Sequence, residues 1–252
     1  MPSSTRPKVV GLVVILIVVI AVSGYMLAPL LFPSQSEQDT VTIHLLYTAG
    51  VMIEYNNTRI YVDPWFLLDN YTTLLADAIL ITHPHFDHYN ETFINILQKD
   101  DTVNVIPASM SAEVALHDAI GVVPGDVVQL GDITVTAFHM YTLTGSHPRE
   151  ANWTSYLIDI NGFRIFHGGD ALNMFEYEQL TGLIDVALLP IYGYGMTVVS
   201  SIEMIQPGYF IPTHFDEGYD DMFFTVYEDD IASVSDCEII RLEYWSSYAF
   251  EI

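Results

Sequence analysis

The sequence predicts an α+β protein in which two β-sheets pack together with helices on the outside. Three observations carry this. Short apolar runs recur along the chain, and several end on a histidine or an aspartate. Helix-like segments are interspersed with those runs. Residues 41–252 are long enough to form one domain with a complete core.

The elements follow in order. Thr42–Tyr47, Val51–Tyr55, Arg59–Val62 and Ala78–Thr82 read as strands from their apolar and β-branched content. Asn90 reads as the N-cap of a helix, because its side-chain oxygen can accept a hydrogen bond from the first turn. Val103–Ile106 reads as a strand and Met110–Ala119 as a helix. Four more strands lead to chemistry-bearing residues or turns: Ile133–Phe138 to His139, Gly162–His167 to Gly168-Gly169-Asp170, Val186–Leu189 to Pro190, and Gly208–Thr213 to His214. Strands of this kind present their terminal side chains along one edge of a rigid scaffold.

The densest cluster lies in Thr82-His83-Pro84-His85-Phe86-Asp87-His88-Tyr89. Pro84 drives its predecessor toward extended backbone and excludes a helix interior, so the segment is a loop. Along an extended path His83, His85 and Asp87 share one side, and His88 leaves in another direction. Imidazole with carboxylate suits Zn²⁺, with Mn or Fe as alternatives, whereas Ca²⁺ and Mg²⁺ sites are built from oxygen. Such a loop serves two neighbouring metals better than one.

These motifs resemble the metallo-β-lactamase fold superfamily from about Val41 to Cys237. His83, His85, Asp87 and His88 match its H-x-H-x-D-H signature, Asp63 in Tyr61-Val62-Asp63-Pro64-Trp65 matches its early structural aspartate, and His139, Asp170 and His214 match its later metal motifs in order. Asp63-Pro64-Trp65, Phe166-His167-Gly168-Gly169-Asp170, Leu188-Leu189-Pro190-Ile191-Tyr192-Gly193 and Ile211-Pro212-Thr213-His214 are similar to one branch, that of ascorbate-6-phosphate lactonase and N-acyl phosphatidylethanolamine phospholipase D.

The resemblance implies a four-layer αββα sandwich holding two Zn²⁺. It puts His83, His85 and His139 on one metal and Asp87, His88 and His214 on the other, with Asp170 bridging. His147, in Ser146-His147-Pro148, is the alternative to His139. The implied activity is hydrolysis of a lactone, ester or phosphodiester by a metal-bridging hydroxide, with Asp87 and Asp170 as catalytic carboxylates. Two metals about 3.5 to 4 Å apart can hold such a hydroxide and stabilise both the attacking and the departing oxygen. Asp63 and His167 are expected to support the ligands, and Trp65, Tyr192 and Tyr194 to contact a small-molecule substrate. His44, His117 and the lone Cys237 read as bystanders. Diiron members of the superfamily carry a glutamate where His85 stands, so a hydrolytic site is preferred; a diiron redox enzyme is one alternative and a nonenzymatic metal-binding surface domain the other.

Residues 9–32 contain no charged residue, and Arg6 and Lys8 precede them. A stretch of about 20 apolar residues can cross a bilayer, and basic residues stay on the cytoplasmic side. The expectation is a basic segment over 1–8, a transmembrane anchor over 9–32, a polar linker over 33–40, and an extracytoplasmic domain over 41–252. A cleaved signal peptide and a secreted protein form the alternative. The formal net charge is −25 with seven Lys and Arg in all, so the basic track that nucleic acid requires is missing. Nothing in the sequence fixes an oligomeric state.

Overall fold

The computed structural model describes residues 39–143, 145–193 and 195–252. The anchor expected over 9–32 lies outside them, and among the described residues no helix is long and apolar enough to cross a membrane. The linker expected over 33–40 is described only at its end, where Thr40 already belongs to the first strand.

Strands β1 (Thr40–Leu45), β2 (Val51–Tyr55), β3 (Thr58–Val62), β4 (Ala78–Leu80), β5 (Val103–Pro107) and β6 (Ile120–Val122) form the first sheet in sequence order. Strands β7 (Val127–Leu130), β8 (Ile133–Met140), β9 (Trp153–Ile160), β10 (Phe163–His167), β11 (Val186–Pro190), β12 (Tyr209–Thr213) and β13 (Glu238–Ile239) form the second. The last strand, β14 (Ser247–Glu251), returns to the first sheet beside β1, giving seven strands in each. Both sheets share one plan. Antiparallel pairing runs through β1, β2 and β3 and again through β7, β8, β9 and β10, and parallel pairing then continues through β4, β5 and β6 and through β11, β12 and β13.

Strand periodicity explains the layers. In the first sheet Val51, Ile53, Ile60, Val62, Ala78, Leu80 and Val105 join the large core shared with the second sheet. Their neighbours Met52, Tyr61, Ile79 and Ile106 join a separate cluster on the other face. That cluster takes in Ile94 and Leu97 of α1 (Glu91–Leu97) and lies close to α2 (Ser111–Leu116). A strand buried on both faces reads as a continuous apolar run, as Ala78–Ile81 does. Helices α3 (Met196–Ile205) and α4 (Tyr219–Val234) bury Val198, Val199, Ile202, Phe223, Phe224 and Ile231 against the large core.

Two local features hold the ends of the sheets together. The Thr154 amide donates to the Thr82 carbonyl at 3.1 Å, joining the start of β9 to the chain leaving β4. The buried Tyr156 hydroxyl donates to the Ile81 carbonyl at 2.7 Å. Asn90 caps α1 by accepting from Thr92 N, while its amide group donates to the Trp65 carbonyl.

Candidate metal centre

Asp63 follows β3, His83 follows β4, Asp170 follows β10 and His214 follows β12. Two of these strands come from each sheet, each pairs in parallel with at least one neighbour, and their carboxyl ends meet at one site. Open α/β sheets likewise gather ligands outside the carboxyl ends of their strands.

The structure brings seven side chains into two adjoining groups. His83, His85, His147 and Asp170 form one, and Asp87, His88 and His214 the other, with the candidate ligand atoms in each group within 4.8 Å of one another. Asp170 faces both. Its Oδ2 lies 3.0 Å from His147 Nε2 and 3.6 Å from His83 Nε2, and its Oδ1 lies 3.1 Å from His88 Nε2 and 3.4 Å from His214 Nε2. Asp87 Oδ2 is 3.3 Å from His214 Nε2.

Histidine 139 is in neither group, and His147 stands where it was expected. The reason lies in β8. Buried and half-buried positions alternate from Ile133 to Ala137, but Phe138 and His139 are both half-buried and Met140 takes the next buried place. Met140 packs beside Gly169 and Thr82, so the strand reaches the site through Met140. The chain then leaves the sheet and comes back through buried His147, whose carbonyl accepts from Thr142 N at 3.0 Å.

Buried Asp63 sets the ring orientations. It accepts from the Thr82 amide at 2.8 Å, the Thr82 hydroxyl at 2.6 Å and His88 Nδ1 at 2.7 Å. With its proton given to Asp63, Thr82 Oγ1 is an acceptor for His83 Nδ1 at 3.0 Å. Nδ1 of each ring is therefore the donor to this network and Nε2 of each is left to face Asp170, the arrangement in which a carboxylate fixes the orientation of a metal-ligating histidine. His167 is fully buried; the Gly169 amide donates to its Nδ1 and its Nε2 donates to the Ala49 carbonyl at 2.7 Å. Gly169 has φ +57°, and a Cβ there would stand 2.9 Å from Met140 Sδ and 3.1 Å from the Thr82 side chain. Only glycine fits that approach without strain. Trp153 closes the first group, its ring 5.2 Å from His83, 5.3 Å from His85 and 5.8 Å from His147.

Electrostatics divide the imidazoles. Burial, reinforced by His88, drives the His83 pKa far down and keeps the ring neutral. Burial also pulls His88 down, but Asp170 and Asp63 outweigh it and raise the ring well above its ordinary value. Burial pushes Asp170 up, yet His88, His147 and His214 hold it well below the carboxylate range. Asp87 is lowered too, because His214 outweighs its burial.

The donor set fits a metal on the structure's own terms. His88 Nε2, His147 Nε2, His214 Nε2 and Asp170 Oδ1 are buried without a hydrogen-bond partner, and the three nitrogens all face the two sides of the Asp170 carboxylate at 3.0 to 3.4 Å. Buried polar atoms are normally satisfied, so such a convergence points to cations.

Beside the second group lies a cavity of about 290 Å³ lined by Tyr47, Trp65, Phe86, Tyr192, Phe215, Asp87, His214 and Asp216, among others. Trp65 and Tyr192 thus lie near the metal centre, and Tyr194 falls outside the described residues. Tyr47, Phe86, Phe215 and Trp153 carry no motif and were not singled out in the sequence. His44 pairs with Glu54 and His117 with Tyr89, away from the centre.

Residues 42–214 match the model of the beta-lactamase superfamily domain. A UPF0173 protein of Pyrococcus furiosus is 31% identical over 175 residues, 66% of this chain and 80% of that protein. A UPF0173 metal-dependent hydrolase of Archaeoglobus fulgidus is 26% identical over 80% of this chain and 96% of its own length. In structure, the metallo hydrolase Igni18 of Ignicoccus hospitalis superposes with a TM-score of 0.70 at 19% identity, over 84% of this chain and 99% of that one. The membrane-anchored, extracytoplasmic placement is corrected by these findings. The archaeal relatives are matched over most of their own length by two thirds to four fifths of this chain, and no described helix can span a bilayer. With this match over the fold and the ligand-bearing strand ends, the chain belongs to the beta-lactamase superfamily and is a metal-dependent hydrolase related to the UPF0173 proteins.

Proposed function

We propose that the domain is a binuclear zinc-type hydrolase acting on a lactone, ester or phosphodiester. The observation that carries this reading is the division of Asp170, whose two oxygens face two separate groups of ligands. A pair of divalent cations bound there would activate water near neutral pH and polarise the electrophile. His83, His85 and His147 would hold one ion and Asp87, His88 and His214 the other, with Asp170 between them.

The chain's own residues do the rest. Asp63 and Thr82 fix His83 and His88 before any ion arrives, which lowers the cost of ordering them. Trp153 packs its ring against His83, His85 and His147, and the buried His167 holds the Gly169 amide next to Asp170. Asp87 lines the cavity and is held ionised by His214, so it can accept a hydrogen bond from the reacting water and orient it. No flavin or other redox partner is required by this arrangement.

The test is metal analysis of the full chain coupled to turnover of a panel of lactones, esters and phosphodiesters. Two zinc per chain with hydrolysis abolished by a chelator and restored by Zn²⁺ is expected. Two iron with no hydrolysis, or hydrolysis indifferent to chelation, would overturn it.

A further inference from the structure

The cavity beside the second ligand group is walled mainly by aromatic rings. Tyr47, Trp65, Phe86, Tyr192 and Phe215 surround it, and its carboxylates are Asp87 and the exposed Asp216. The rings form a continuous face: Phe86 meets Trp65 at 6.1 Å between centroids, Trp65 meets Tyr47 at 5.7 Å, Tyr47 meets Tyr244 at 5.0 Å, and Tyr244 stacks on Phe215 at 4.9 Å. Phe86 sits within the ligand loop and is 79% exposed, and Tyr192 is 47% exposed. Phe215 belongs to the core, whereas Phe86 and Tyr192 stand in solvent, and burying those two on a substrate would remove apolar surface from water.

Charge separates the possible substrates. No lysine or arginine lines this cavity. Among the described residues every basic side chain is already engaged by a carboxylate: Arg59 by Glu54, Lys99 by Asp77, Arg149 by Glu176, Arg164 by Asp159, and Arg241 by Asp220 and Asp221. Arg241 lines a larger neighbouring cavity of about 700 Å³ that shares Tyr47 and Phe215, and there it is accompanied by Glu217 and Glu243. An anionic tail reaching outward from the metals would meet π-faces and carboxylates, with no cation to receive it.

We propose that the site takes carboxylic esters or lactones whose remote substituent is uncharged or cationic and lies on this aromatic face, and that it discriminates against substrates with anionic tails. The proposal rests on the hydrolase reading above and narrows it. The reaction is hydrolysis: the oxygen of water bonds to the acyl carbon, the bond from that carbon to the alkoxy oxygen breaks, and a proton from the water ends on the departing alkoxide.

The experiment compares para-nitrophenyl esters of one acyl length that end in methyl, trimethylammonium or carboxylate, with bis-para-nitrophenyl phosphate alongside, on the zinc-loaded full chain. The neutral and cationic esters are expected to exceed the carboxylate ester in kcat/KM by on the order of tenfold to a hundredfold. Asp216→Lys should shrink the gap between the cationic and anionic esters several-fold without changing zinc content. Equal or faster turnover of the carboxylate ester would overturn the proposal while leaving the hydrolase reading intact. A chain that binds zinc and turns over none of the four probes would count against the proposal, and a chain that binds no metal would count against the hydrolase reading itself.

Discussion

His147 Nε2 lies 3.0 Å from Asp170 Oδ2, both side chains are buried, and the histidine comes from a loop between β8 and β9 rather than from a strand end. This contact separates the two candidates for the third histidine of the first group. His147→Ala should lower affinity for the first ion by at least about a hundredfold, since losing a ligand exceeds the tenfold to hundredfold effect of losing a supporting contact. His139→Ala should leave metal content and kcat unchanged. Metal titration of both variants decides between them.

Asp63 should matter without touching metal. Asp63→Asn keeps the shape but replaces one carboxylate oxygen with a donor, which opposes the hydrogens offered by Thr82 and His88. Metal affinity and kcat should each fall by roughly tenfold to a hundredfold. Folding stability should fall by about 1 to 3 kcal/mol, because a buried network is left partly unsatisfied. Metal titration and denaturant unfolding of the same variant read the two effects separately.

Metal uptake should release protons. In the metal-free centre the pKa of His88 is raised by Asp170 and Asp63 against the pull of burial, so the ring holds a proton that an ion must displace from Nε2. The raised value means that protonation competes at neutral pH and below. Apparent zinc affinity should therefore rise with pH until that value is passed and level off above it. Calorimetric titration in buffers of different ionisation enthalpy measures the protons released; a heat independent of buffer would contradict the assignment.

Phe86 offers a cleaner probe of the cavity. Its ring is largely in solvent, so Phe86→Ala should change stability by no more than about 0.5 kcal/mol. If the ring contacts substrate in ground and transition state alike, KM for an apolar ester should rise several-fold with kcat nearly constant. Steady-state kinetics on the methyl-terminated ester makes the comparison.

The sequence exposed the strand-end residues well, because a strand running into His83, Asp170 or His214 leaves a linear trace. The cap at Asn90 is legible too, and the apolar run Ala78–Ile81 reads as a strand that the structure buries on both faces. Residues delivered by irregular chain were harder to see. His147 emerges from a loop whose path depends on where β8 ends, and the alternation breaks at Phe138 and His139, so that Met140 is the residue beside Gly169. The aromatic face assembles Tyr47, Phe86 and Phe215 from separate loops, so no spacing announces it. The matching strand plan of the two sheets likewise leaves no repeat in the sequence, since pairing constrains burial and leaves residue identity free.

The most direct test of the two-metal centre is the metal stoichiometry of the full chain, measured for the natural sequence and for Asp170→Ala. Two ions per chain, with both bound more weakly once Asp170 is lost, is the result predicted from a carboxylate that faces both ligand groups. A single ion in the natural chain, or an Asp170→Ala variant that keeps two at undiminished affinity, would contradict it.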